Sequence, residues 1–374
     1  MGQLGGTAPD VLIVGGGVIG CALAYELVGT GMSVLLLEQN RLADSPGASG
    51  ASAAILEPLV TAPPTLARLS LESVRGTAEL ARALMDETGV DAELDRPGAL
   101  HIAEDDGEAV LLRAYVTAAQ ALGLPAEWLD GPGVRQAEPL LAPTIVGAAY
   151  LPDVYSVYAP RFVQQLAGAA IRRGAQVREG VAVARLCAAG SRVAVVETSD
   201  GPATAGQVIL ATGAWTRPLA AQLGLHVPVG PQRGQIMALR SVGLTLRHVV
   251  HGAGGYLVPK RNGTIVVGAT REAVGFDSRV TCAGLAFLAG LAQRLAPSLA
   301  GAAFVHAWAG LRPLMLDGSP PLIGRVPGYE NAFIAAGHGP MGMTLAIGTA
   351  RLLVDIMLGR RAAEPSVDPA RYAR

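Results

Sequence analysis

The first strongly patterned stretch, DVLIVGGGVIGCALAYELV, is apolar on both sides of a glycine turn. The apolar run Val11–Val14 predicts a strand over 10–14, and the helical spacing over about 18–29 predicts a helix that Gly31 ends. A second strand is predicted over 33–37, closing at Glu38. Strand, helix and strand make a βαβ unit of ordinary length. A helical stretch follows at about 65–87, and the pattern from 88 to 150 is irregular apart from a helix at 107–122. Pro160 opens a further helix, followed by a strand. The run RVAVVETSDGPATAGQVILATGAW reads as short strands that turn at Asp200–Gly201 and end in a buried strand, Val208–Ala211.

Residues 226–310 carry a different pattern. YLVPKRNGTIVVGATR reads as a hairpin, because Asn-Gly between β-rich residues is a strong turn signal. A two-residue turn at Asn262–Gly263 would set Tyr256 opposite Ala269, and Arg271 opposite Gly254 on the same side of the sheet. A helix at about 282–295 and a β segment, HAWAGLRP, follow. The chain then returns to a strand at Ala332–Ala335 and a terminal helix from about Met343 to Leu358. No internal repeat is visible. The alternation predicts an α/β protein in which a discontinuous Rossmann-like nucleotide domain (1–84, 151–220 and 313–374) carries an inserted α+β substrate domain. That second domain (85–150 and 221–312) has a mostly antiparallel sheet.

Composition narrows the function. At 374 residues, 51% hydrophobic, 16% charged and with a net charge of −1, the chain has no electrostatic reason to bind nucleic acid or an anionic membrane. Cys21, Cys187 and Cys282 are odd in number and far apart, so neither a disulfide framework nor a zinc site is expected. MGQLGGTAPD lacks the basic and apolar regions of a signal peptide. The terminal apolar helix carries Arg351 and Asp355, so no membrane span is expected, and the protein is read as cytoplasmic. The six histidines show no metal-ligand spacing. No Ser/His/Asp motif is present.

Two segments spell G-x-G-x-x-G: Gly15, Gly17 and Gly20, and again Gly337, Gly339 and Gly342. The first follows a strand, opens a helix, and has Glu38 at the end of the next strand, 18 residues beyond Gly20. In that setting the glycines permit a tight turn, close approach to a pyrophosphate and close helix packing, while Glu38 accepts from ribose hydroxyls. The loop RLADSPGASGASAAI then offers backbone amides along an extended ligand, which points to FAD more than NAD. The second spelling is not read as another dinucleotide site. No strand follows its helix and no acidic residue closes a unit, so its glycines are expected against the flavin ring.

GGGVIG, GASGASAA, ATGAW, YLVPKRNGTIVVGATREAVGFDSRVT, WAGLRPLMLDGSPPLIG and AAGHGPMGMTLAIGTA together resemble the D-amino-acid-oxidase-like flavoproteins, most closely the glycine oxidase branch, over nearly the whole chain. The resemblance implies two domains, an FAD cofactor and oxidation of amino acids or amines by hydride transfer to flavin N5. By position it implies that Arg312 and Tyr256 hold the substrate carboxylate. It assigns FAD contacts to Val18, Ile19, Glu38, Gln39, Ala48, Ser49 and Val183, and to the loop His338, Gly339, Pro340, Met341, Gly342, Met343 and Thr344. Relatives with covalent flavin have a cysteine in the segment that here reads LRPLMLDG, so noncovalent FAD is expected.

Such chemistry asks for position and electrostatics, not for a strong acid or base. An arginine fork suits a carboxylate, although Arg312 can also be read as half of an internal salt bridge. Arg271, where the best-known glycine oxidases are apolar, offers a second anionic contact that would favour acidic substrates; the alternative is a surface arginine paired with Glu272 or Asp277. Glycine oxidases carry a carboxylate-holding arginine at the position of Pro340, which puts strict glycine specificity in question. Two rivals stand beside an oxidase that uses oxygen. One is a D-amino-acid or D-hydroxyproline dehydrogenase passing electrons to a quinone or partner subunit, and the other is a flavin-binding electron-relay subunit. A homo-oligomer is the expected assembly.

Overall fold

The structure, a computed structural model, describes residues 8–42, 47–241 and 243–373. The reading of residues 1–7, and of 43–46 within the small-residue loop, lies outside these. Two large sheets organise the described chain. The first has six strands in the order Leu322–Arg325, Ala332–Ala336, Gln207–Leu210, Val11–Val14, Val34–Glu38, Gln176–Glu179. All neighbours are parallel except the Leu322–Arg325 edge. A parallel sheet is covered on both faces, which explains the unbroken apolar runs. Val11 and Ile13 pack among the helices Val18–Val28, Pro64–Thr88, Ala159–Arg172 and Gly342–Met357. Leu12 and Val14 face a three-stranded antiparallel sheet made from Val183–Ala189, Arg192–Thr198 and Gly201–Ala203.

The last helix has the length and composition to cross a bilayer over Gly339–Met357, but 72% of that window is buried against its neighbours. Gly348 allows the contact, since a Cβ there would stand 2.9 Å from the Leu69 carbonyl oxygen. Arg351 leaves the helix to pair with Glu26 at 3.0 Å.

The second sheet has eight strands in the order Ala303–Met315, Val229–Arg240, Thr264–Gly268, Gly255–Pro259, Val249–Gly252, Ala99–Ala103, Gly147–Leu151, Glu127–Asp130. Every pairing is antiparallel except that between Val249–Gly252 and Ala99–Ala103. The stretch 88–150, irregular in sequence, therefore supplies three strands and the short helix Gly131–Ala137 besides the predicted helix, Asp106–Ala121. These strands are four or five residues long and pair with distant partners, so local periodicity hardly marks them.

The hairpin register differs from expectation by one residue. Tyr256 pairs with Gly268, not Ala269, and Pro259 with Ile265. Gly263 N–H donates to the Lys260 carbonyl (2.9 Å) with Gly263 at φ +76, and Lys260 N–H donates to the Thr264 carbonyl (2.9 Å). This is a three-residue loop with a left-handed glycine, whereas a two-residue type I′ turn needs Asn262 left-handed too. Asn262 instead accepts from Thr264 N–H at 3.0 Å.

Candidate active site

A cleft of about 390 Å³ runs between the two sheets, within the usual size range of ligand pockets. Its inner end is the first glycine turn. Gly15 has φ +106, and a Cβ on it would lie 2.5 Å from the Ala211 carbonyl oxygen; a Cβ on Gly20 would lie 1.8 Å from the Gly15 oxygen. Only glycine lets strand, turn and helix approach this closely. Glu38 is nearly buried beside them, accepting from Gly16 N–H (2.7 Å) and Asn40 N–H (3.0 Å). Ser49 Oγ accepts from Val18 N–H at 2.9 Å, tying the small-residue loop to the helix start. The loop is seated by Trp308, whose Nε1 donates to the Ala51 carbonyl (3.1 Å), and by Gly310, where a Cβ would meet Ala51 at 2.4 Å.

Tyr256 and Arg312 converge at the other end. Their seats are two strand glycines. A Cβ on Gly268 would fall 2.4 Å from the Tyr256 ring, and one on Gly234 would fall 2.3 Å from the Arg312 guanidinium. Arg312 Nη1 donates to the Thr270 carbonyl at 3.0 Å. Among the described residues Arg312 has no carboxylate partner, so the salt-bridge reading of this arginine fails. Burial lowers its pKa, as does the charge of Arg271. Burial raises the Tyr256 phenol, against the pull of Arg312 and Arg271, so it remains a proton donor at neutral pH.

Of the predicted cofactor contacts, Gly15, Gly17, Val18, Ile19, Glu38, Gln39, Ala48, Ser49 and Val183 line the cleft, as do His338, Gly339, Pro340, Gly342 and Met343. Gly20, Gly337, Met341 and Thr344 do not. Gly20 is spent on packing against Gly15, Gly337 sits at φ +79 against the Met315 sulfur, Met341 packs on the helical core, and Thr344 donates to the Ile55 carbonyl (3.2 Å). His338 makes a loop-fixing hydrogen bond to Thr349 Oγ1 (3.0 Å), and burial lowers its pKa to about 4, so it is neutral. Sequence reading missed Gly234 and Gly268 as seats; their signal was a glycine inside a strand, where it weakens the element unless something approaches closely.

A second cluster also escaped the sequence. His101 and His251 are cross-strand partners with stacked rings, 4.5 Å apart and 13° from parallel. Glu57 bridges them at 2.5 and 3.0 Å, and Tyr115 donates to it at 3.1 Å. The three donor groups lie within 4.8 Å of one another. As it stands, the two imidazoles share the Glu57 carboxylate. The cluster is absent from the cleft wall, but His251 pairs across the sheet with Tyr256, ring centroids 6.3 Å apart.

A glycine cradle opening onto an arginine and a tyrosine is the arrangement of a nucleotide-dependent oxidoreductase. Comparison with known proteins agrees. A family model described as "FAD dependent oxidoreductase" matches residues 10–356, and the chain belongs to that family. It is 35% identical over 370 residues to glycine oxidase from Pseudomonas putida, covering 97% of this chain and 98% of the relative. The structure of glycine oxidase from Geobacillus kaustophilus superposes with a TM-score of 0.90 at 33% identity, covering 98% of each chain. Iminodiacetate oxidase from Chelativorans superposes at 0.87 and 29% identity, covering 97% of this chain and 98% of that one. The chain is thus an FAD-dependent oxidoreductase acting on amines or amino acids, and neither the dehydrogenase nor the electron-relay reading is favoured. The residues present fit FAD: the glycine cradle has no room for a Cβ, and Glu38 is held by backbone amides beside it.

Proposed function

We propose that the protein oxidises glycine or a similarly small amino acid or secondary amine, such as sarcosine or a D-amino acid, with oxygen as electron acceptor. The observation that carries this reading is the Arg312 guanidinium, which faces the cleft beside Tyr256 without a counter-ion among the described residues. A buried charge is normally paired, and a substrate carboxylate supplies the missing partner. FAD, when bound, would supply the redox chemistry as a hydride acceptor that oxygen reoxidises, so that amine, water and oxygen give a 2-oxo acid, hydrogen peroxide and either ammonia from a primary amine or a primary amine from a secondary one.

The protein's own part is orientation. Arg312 anchors the carboxylate through its planar fork, and Tyr256 donates a further hydrogen bond. Gly15, Gly17, Val18, Ile19, Glu38, Gln39, Ala48, Ser49 and Val183 are assigned to the dinucleotide, and His338, Gly339, Pro340, Gly342 and Met343 to the ring. The N-terminus of Gly342–Met357 adds partial positive charge there. Pro340 brings no charge, which leaves Arg312 as the cation on the cleft wall among the described residues. None of the three cysteines, all free, lines the cleft, which supports noncovalent FAD. The similarity to iminodiacetate oxidase supports keeping secondary amines within the substrate class.

Our domain division follows the two sheets: 1–84, 151–220 and 313–374 around the cofactor, 85–150 and 221–312 around the substrate. We place the enzyme in the cytoplasm, in keeping with its unpaired cysteines, and read it as a homo-oligomer, for which the exposed Phe304 and Val305 on an edge strand are suitable contacts.

The test is direct. Purified holoenzyme is mixed anaerobically with glycine, sarcosine and D-alanine, flavin bleaching is recorded, and air is admitted to measure peroxide. Bleaching with peroxide supports the reading. Bleaching without peroxide overturns the oxidase assignment, and full activity in Arg312→Ala overturns the anchor.

A further inference from the structure

We propose that Arg271 forms a second anion site next to Arg312, so that the preferred substrates are amines carrying two carboxylates. This rests on the amine-oxidising reading above and names the substrate class of that site.

The placement comes from the backbone. Past Gly268 the strand lapses and then rejoins its neighbour as an isolated bridge between Glu272 and Arg233, with N–H to O distances of 2.9 and 3.0 Å. Against Val229–Arg240 the register has shifted by one residue, since Ile236 pairs with Gly268 but Arg233 with Glu272. The shift sends Glu272 to the face of Arg233, where the two side chains pair at 2.5 Å. Alternation then turns Arg271 to the opposite face. That is the face of Arg312, which pairs across the sheet with Gln232 and lies over Gly234. Arg312 donates to the carbonyl of Thr270, the residue immediately before Arg271. A few residues on, Phe276 packs on Trp215 of the cleft wall at 5.4 Å between ring centroids, which holds the segment against the cleft.

Charge completes the case. Glu272 is taken by Arg233, Gln235 and Thr270, and Asp277 by Arg233 (3.1 Å) and Arg279 (2.9 Å). Arg271 is exposed and, among the described residues, pairs with neither, so the surface-pair reading fails. Among the described residues the carboxylate on the cleft wall is Glu38, at the far end. Two arginines thus share one face, Arg312 on the cleft wall and Arg271 exposed outside the cleft lining, and among the described residues neither has a carboxylate partner. The charge of Arg271 already acts on both Tyr256 and Arg312. One carboxylate on each arginine relieves that repulsion, and the amine-bearing carbon lies between them.

The experiment uses a matched pair on the holoenzyme: sarcosine, and iminodiacetate, which replaces sarcosine's methyl group by a carboxymethyl group. The ratio of kcat/KM values, iminodiacetate over sarcosine, is expected to exceed one in the wild type. It is expected to fall by about tenfold or more in Arg271→Met, the effect of one lost charge-assisted contact, and further in Arg271→Glu. A wild-type preference for sarcosine, or an unchanged ratio in both variants, overturns the proposal. A binding measurement separates this from failure of the parent reading. By calorimetry on the holoenzyme, succinate should bind more tightly than butyrate, and Arg271→Met should remove the difference. Were no amine to bleach the flavin, that difference would still support the anion site, and its absence would overturn it.

Discussion

Replacing Gly234 by alanine presses a methyl group into the seat of Arg312. The new Cβ would stand 2.3–2.5 Å from three guanidinium atoms, distances that no settled contact tolerates. The strand cannot yield, because Gly234 lies within Val229–Arg240, paired to Ala303–Met315. The guanidinium, at the end of a flexible side chain, moves instead and gives up its bond to the Thr270 carbonyl. Its fork then no longer points where the substrate carboxylate is held. A hydrogen bond to a charged group contributes about 1.5–3 kcal/mol, so kcat/KM for glycine should drop about 10- to 150-fold. Stability should change little, since overpacking costs about 1–3 kcal/mol only where the crowded group cannot move. Peroxide-coupled kinetics and a thermal melt on the same holoenzyme read the two effects separately. Activity within about twofold of wild type would refute the claim that this glycine seats the arginine. A large loss of melting temperature with proportionate loss of activity would refute it too, by showing a general packing defect.

Glu38→Ala removes the acceptor for two backbone amides beside the glycine cradle, and FAD should dissociate about tenfold more readily in fluorescence titrations. The Glu57–His101 pair should make stability depend on pH at both ends. Burial raises Glu57, but the charges and hydrogen bonds of His101 and His251 together outweigh it and leave Glu57 well below its ordinary value; burial lowers His101, but the charge and hydrogen bond of Glu57 outweigh it and leave His101 above its ordinary value. The raised His101 contributes fully below the ordinary histidine pKa and loses its contribution as pH rises through its folded value; the lowered Glu57 contributes above the ordinary carboxylate range and loses it as pH falls. The melting-temperature gap between wild type and Glu57→Gln should therefore be widest in the window between, and a pH-independent gap would exclude the linkage. His338, held to about 4 by burial, costs stability as pH falls from about 6.5 towards 4, because only the unfolded chain takes the proton. His338→Gln should flatten that decline in melts across this range.

The first βαβ unit, the long helices and the hairpin were legible because each is written in a local period: a continuous apolar run, a spacing of three and four, an Asn-Gly turn. The adjoining glycines, Glu38 and Ser49 lie within or just after that unit, and the structure brings them to one cleft end. The strands within 88–150 were not legible, since each is short and pairs with a strand roughly 20 or more residues away along the chain, beyond the reach of a local period. Arg271 shows the limit most clearly. A two-residue turn placed it on the face of Tyr256, the real turn moved the register by one, and the lapse after Gly268 moved it back.

By itself the sequence determined the nucleotide cradle, the alternation of elements and the residue types at the far end of the cleft, because these follow from spacing along one chain. Tertiary structure alone decided that Arg312 has no counter-ion among the described residues, that Gly234 and Gly268 make room for it and for Tyr256, and that Glu57 bridges His101 and His251. Each of those depends on which strands become neighbours and in what register, and a register is set by the turns and bulges of the assembled sheet.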